Sequence, residues 1–256
     1  QGGNRTRKKK VATAPLFAEH ADTEQLAYNL SAFKSDDEIE ITLKMHGTSG
    51  RTGHLPIVRE KKRSLWQKIM RKPAHTYTEY GYVTGTRRVV LDEKHDGGFY
   101  DDNQFRLEMA KKFEGKLHKG ETVYYEVVGF TTTGAPIMGN GNNEKLGKDF
   151  VKQYGKETVF SYGCSPDGMG EPEDYWDEEK TEPSIVPIIP KSDIYVYRMT
   201  MTNEDGEVVE YTPDFMRYRC ELMGVKTVPV FHRVILQGLS EDWEIGEAVQ
   251  QLAEKY

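Results

Sequence analysis

Hydrophobic and polar residues alternate over Glu38–Met45, with Ile39, Ile41 and Leu43 on one side and Glu40, Thr42 and Lys44 on the other. That period of two predicts a strand with one buried face. Thr122–Phe130 and Ile194–Thr202, rich in Tyr and Val, read the same way, and Tyr77–Leu91 gives two strands about Gly85. Asn203–Gly206 is a turn signal, so Glu207–Tyr211 should return as a hairpin partner. A helical period replaces the alternation elsewhere. Leu26, Leu30 and Phe33 predict a helix over Asp22–Lys34, with Asp22 or Thr23 as its cap. Phe105, Leu107, Met109 and Phe113 predict another over Gln104–Lys116, and Asp214–Met223 and Ser240–Tyr256 read as two more. Hairpins and helices without a regular βαβ alternation predict an α+β fold, and no internal repeat is visible.

Composition fits a globular chain. Of 256 residues, 37% are hydrophobic and 30% charged, with 15 Tyr, which is ample material for a core. The longest apolar runs, such as Ile185–Ile189, are far too short to span a bilayer, so no membrane partner is expected. No secretory pattern opens the chain, and two cysteines, Cys164 and Cys220, suit a reducing compartment, so a cytoplasmic location is expected. Neither cysteine sits in a Cys-x-x-Cys pair, and both read as structural thiols. The first residue is Gln and Tyr256 falls within a predicted helix, so the chain reads as a piece of a longer protein.

The net charge of −6 hides two local extremes. Arg59–Lys72 holds seven basic residues and one acid, with Leu65, Trp66, Ile69 and Met70 among them at helical spacing. It reads either as a solvated helix face or as a nucleic-acid contact. Glu171–Glu182 holds seven acidic residues and one Lys, and reads as a solvated loop. Residues 1–15 form a basic lead-in or linker, and 16–256 form the globular domain.

The informative stretch runs Ile39-Glu-Ile-Thr-Leu-Lys44-Met-His46-Gly47-Thr-Ser-Gly-Arg51. A strand delivers a lysine to a Gly- and hydroxyl-rich turn whose N–H groups suit phosphate oxygens. A lysine is a covalent nucleophile only when part of its population is deprotonated. By spacing alone, a strand-end lysine beside a glycine turn is the blander account. His46, two residues from Lys44, reads as a pocket hydrogen-bonding residue rather than a metal ligand. The other histidines are scattered. Gly139–Glu144 alternates glycine without a P-loop Lys-Ser/Thr and reads as a loop.

Lys44-Met-His46-Gly47-Thr resembles the nucleotidyl-acceptor motif of the covalent nucleotidyltransferase superfamily, the DNA and RNA ligases and mRNA capping enzymes. Its His-Gly-Thr is similar to the RNA ligase 2 branch, where DNA ligases and capping enzymes usually carry Asp. Gly85-Thr-Arg87 resembles the Ser/Thr-Arg element, Tyr124-Tyr-Glu126-Val-Val-Gly129 the Glu-x-x-Gly strand, and Tyr195-Val-Tyr197-Arg-Met the aromatic strand. Leu222–Pro229 looks like the segment that follows. The resemblance runs from about Phe17 to the C-terminus.

It implies an adenylation domain of antiparallel sheets flanked by helices, and an ATP-dependent RNA ligase. Lys44 would carry AMP, with His46, Gly47, Arg87 and Glu126 at the nucleotide or RNA end and Tyr197 stacking on adenine. Arg63, Lys68 and Arg71 are weaker candidates for the RNA backbone. Mg²⁺ or Mn²⁺ is implied, with no ligands assigned. The family's Glu-Gly-Val/Leu-Val and Lys-x-Lys strands are absent, and their expected place is just beyond Tyr256, so the domain is expected to be C-terminally incomplete. Alternatives are a DNA ligase, a GTP-using capping enzyme, or a nucleotide- or RNA-binding module without catalysis.

Overall fold

A computed structural model describes residues 14–91, 104–139, 146–168, 188–238 and 241–256. Most of the basic lead-in, the acidic run Glu171–Glu182, His95 and most of the Gly139–Glu144 loop lie outside the described residues.

The architecture is α+β, built on antiparallel sheet. The strands are β1 (Glu38–Thr42), β2 (Thr48–Glu60), β3 (Thr76–Gly85), β4 (Val90–Leu91), β5 (Glu121–Gly129), β6 (Ser192–Thr202), β7 (Val208–Glu210), β8 (Lys226–Thr227) and β9 (Val230–Ile235). A seven-stranded sheet runs β4-β3-β2-β5-β6-β7, every neighbour antiparallel, with β8 adding to β6 in parallel. β1 pairs with β9 in a separate two-stranded sheet. The helices are α1 (Leu65–Ile69), α2 (Gln104–Ala110), α3 (Lys148–Tyr154), α4 (Pro213–Met223) and α5 (Asp242–Lys255). Among the described residues no helix is long and apolar enough to cross a membrane.

One face of the large sheet carries the main core. Val123, Tyr125 and Val127 of β5 and Ile194, Val196 and Met199 of β6 pack against Phe105, Phe113, Met216 and Cys220. The alternation of β5 therefore turns Tyr124, Glu126 and Val128 to the other face. α5 closes a smaller core, where Ile245, Val249 and Leu236 meet Leu26, Phe33 and Ile39. Ionic contacts tie the small sheet to α4. Arg217 holds Glu40 of β1 at 2.7 and 3.0 Å, and Arg233 of β9 holds Asp214 at 2.7 and 2.8 Å.

Four sequence expectations change. Asp22–Lys34 is not an α-helix but two 3₁₀ turns, Leu26–Tyr28 and Leu30–Ala32. Its apolar residues still face inward, so the period reported burial rather than α geometry. The strand at Glu38 stops at Thr42, after a register shift between Ile41 and Thr42, and the Leu43 amide then bonds to the Pro229 carbonyl. The turn expected at Thr48–Gly50 is the start of β2, a 13-residue central strand. Gln104–Lys116 is α2 followed by a 3₁₀ turn, Lys111–Phe113.

Candidate functional site

The site forms on the face of the large sheet opposite the main core. β5 presents Tyr124 and Glu126 there. β6 presents Tyr197 through a bulge: pairing jumps from Tyr124↔Arg198 to Tyr125↔Val196, leaving Tyr197 as the extra residue. Bulges re-aim side chains in this way.

The segment linking β1 to β2 crosses this face. Its Gly47 lies so close to β5 that a Cβ there would sit 2.3 Å from the Val127 carbonyl oxygen and 2.9 Å from the Glu126 side chain. Only glycine fits this approach. The Gly47 N–H lies near enough to the Glu126 carboxylate to favour its charged form. Burial pushes Glu126 up to about 7, and the Arg106 guanidinium, the Lys44 ammonium and the Gly47 N–H each pull against that. Lys44 is exposed, within electrostatic reach of Glu126. His46 donates its main-chain N–H to the Tyr162 hydroxyl at 2.9 Å and sets its ring edge-on to Phe160, 5.1 Å between centroids. Lys44, His46, Gly47 and Glu126, expected together from sequence, are thus assembled at one place.

Tyr197 is adjacent but differently partnered. Burial, then the neighbouring Glu126, raises its hydroxyl well above the usual phenol range. His20 packs edge-on against its ring at 5.1 Å and tilts onto Tyr124 at 5.6 Å. Arg87 pairs with Asp22. Both contacts come from the segment Ala14–Asp22, which is fastened to the sheet. Arg51 donates to the Phe17 and Ala18 carbonyls and lies 4.2 Å over the Phe17 ring, and the Tyr124 hydroxyl donates to the Ala18 carbonyl at 3.2 Å. Burial, Arg198 and Arg87 all lower the His20 pKa, which keeps the ring neutral at pH 7. Tyr197 and Arg198 also line a small cleft between the two sheets, facing Glu40, Thr42, Val228 and Val230.

Arg63, Lys68 and Arg71 are not part of this assembly. They lie on the β2–β3 hairpin tip around α1, exposed to solvent. Three residues that sequence reasoning passed over belong to the site. Arg106 of α2 donates to the Thr48 hydroxyl at 2.5 Å and acts on Glu126. Tyr162 holds His46, and His20 covers Tyr197. A buried arginine is a signal only after burial is known. The one sequence hint of Tyr162 is an aromatic pair, Phe160 and Tyr162, beside Gly163.

Among the described residues no three His, Cys, Asp or Glu side chains gather to hold a metal ion, so no ligands are assigned to the implied divalent cation. Burial pushes Cys164 up to about 11 and Cys220 up to about 12, so both stay thiols at neutral pH. No protein-family model matches the chain, and no curated protein matches it significantly.

Proposed function

We propose that this chain is the adenylation domain of an ATP-dependent RNA ligase. The Lys44 amine attacks the α-phosphorus of ATP, forming a P–N bond as the P–O bond to pyrophosphate breaks. AMP then passes from Lys44 to a 5′-phosphate end, and a 3′-hydroxyl displaces it to seal the strand. Only a neutral amine attacks, so the lysine proton must leave first.

The observation that carries this reading is the juxtaposition of Lys44 and Gly47 with Glu126, about 80 residues later, on one sheet face. A lysine alone at a strand end is ordinary. A lysine delivered within electrostatic reach of a half-buried carboxylate, on a segment whose Gly47 packs directly against that carboxylate's side chain, is a built arrangement. Glu126 would accept from a nucleoside hydroxyl, Tyr197 would stack on adenine, and Arg87 would meet phosphate once released from Asp22. The His46-Gly47-Thr48 pattern favours RNA over DNA and ATP over GTP.

The test pairs nucleotide and strand. Incubation with α-labelled ATP or GTP and a divalent metal should label the protein from ATP alone, and the labelled protein should seal nicked RNA faster than nicked DNA. Label from GTP alone would move the chain to the capping enzymes, and preference for DNA would move it to the DNA ligases.

A further inference from the structure

The β2–β3 hairpin outgrows the body of the protein. Beyond Leu55 no residue of β2 is buried, and the facing first four residues of β3 are exposed. At the tip, Ser64 caps α1 in a reciprocal capping box with Gln67, so the single turn of helix is locally specified rather than packed against anything. Its large residues face solvent: Trp66 is 74% exposed and Leu65 77%, with Ile69 and Met70 also exposed. Seven cations and one acid surround them over 59–72, so the tip is +6 within a chain whose total is −6. Arg59 pairs with Glu79. Lys61, Lys62, Lys68, Arg71 and Lys72 carry no ion pair among the described residues.

We propose that this tip is a docking surface for the single-stranded RNA leading away from the joined end, with bases stacking on Trp66 and phosphates held by the surrounding cations. Charge selects a polyanion, and an exposed indole among cations is how sequence-tolerant single-strand binders hold successive bases. One turn of helix offers little insertion area to a membrane, whose interfacial helices present long apolar faces. The hairpin also starts at the site. β2 begins at Thr48, next to Gly47, and 12 residues at about 3.3 Å each place its tip up to about 40 Å away. At the stacked-helix rise of about 3.4 Å per nucleotide that is at most roughly a dozen nucleotides from Lys44, and about half as many for an extended single strand. The identity of the strand as substrate rests on the ligase reading.

The experiment measures binding of 5′-phosphorylated RNAs of about 3 and about 24 nucleotides, one too short even when extended and one long enough even when stacked to reach the tip. Trp66→Ala should bind the longer RNA at least about fivefold more weakly than wild type and the shorter one equally. Replacing Lys68, Arg71 and Lys72 by Ala should reduce the salt dependence of longer-RNA binding by about 0.7 for each phosphate that is no longer neutralised. These side chains are exposed, so both variants should melt like wild type, and both should take label from ATP normally. Unchanged affinity of both variants for the longer RNA would overturn the proposal. So would loss of sedimentation with phosphatidylserine vesicles in Trp66→Ala while RNA binding stays intact, which would make the partner a membrane. Failure of wild type itself to take label from ATP would sink the ligase reading and leave the length-dependent binding result standing.

Discussion

Gly47 packs so closely on Glu126 that a Cβ on the glycine would sit 2.9 Å from the glutamate side chain, with no room for a methyl group. The 2.3 Å approach of a Cβ to the Val127 carbonyl is to backbone, which cannot swing aside. Gly47→Ala should therefore push the Lys44 segment off β5. Expected costs are about 1–3 kcal/mol of stability, as for overpacking, and about a hundredfold in labelling from ATP, as for a small misplacement of reacting groups. Gly139→Ala, where a Cβ meets nothing within 4 Å, is the control and should change neither. Thermal melts and labelling rates of the two variants check this.

Glu126 makes the folded protein sensitive to pH around neutrality. Its carboxyl titrates at about 7 when folded and near 4.5 when unfolded. Between those values the folded state binds more protons, so this group's contribution to stability falls as pH rises from about 4.5 to about 7, and the loss is complete above. Glu126→Gln removes that dependence. Urea midpoints at pH 5 and pH 8 should show the variant gaining on wild type at the higher pH. An equal gap at both would contradict the shift.

Lys44 contributes to holding Glu126 down, so the two should be linked in a carboxyl titration. Lys44→Met removes a nearby cation and should raise the Glu126 pKa beyond about 7. NMR of the side-chain carboxyl reads this without any catalysis. No movement would mean that the two side chains are not neighbours in solution.

Away from the site, Arg219 of α4 grips Glu121 of β5 with two hydrogen bonds, 2.9 and 2.8 Å, and the Tyr211 hydroxyl adds a third at 3.0 Å. Glu121 is fully buried. Burial alone would raise its pKa, but hydrogen bonds from Arg219, the His118 amide and Tyr211 outweigh that and hold it below the usual value. Arg219→Ala strands a buried carboxylate and should cost about 3–5 kcal/mol. Because the folded pKa is depressed, wild type keeps this contribution in full above about 4.5 and loses it as pH falls through the lower folded value. Denaturation of wild type and variant should therefore converge in acid.

Tyr197 separates stacking from hydroxyl chemistry. Tyr197→Phe keeps the ring and should bind ATP nearly as wild type does, while Tyr197→Ala should lose about 1–3 kcal/mol. Calorimetry distinguishes them, and equal affinity of the Ala variant and wild type would exclude stacking.

The edges of legibility follow from what each segment answers to. β5 and β6 are readable in the sequence because Val123, Tyr125, Val127, Ile194 and Val196 face one core and their neighbours do not. β2 is not, although it is a central strand. Its Gly50 and Gly53 carry no side chain to show a period, and the Tyr125 ring fills the space over Gly50, where a Cβ would come within 2.5 Å. The two 3₁₀ turns before β1 keep the helical spacing of Leu26 and Phe33 without the length for an α-helix. At the site, Lys44, His46, Gly47 and Glu126 are legible as motifs. Arg106 and His20 are not, because each acts through a partner brought in from another element.

Under the proposed function, Lys44 forms a covalent bond to AMP. Protein incubated with ATP and a divalent metal, then digested and mapped by mass spectrometry, should carry the AMP adduct on the peptide containing Lys44. Lys44→Ala and Lys44→Arg should carry none, since a guanidinium stays protonated and unreactive. An adduct at the wild-type level on either variant, or on a peptide without Lys44, would contradict the account.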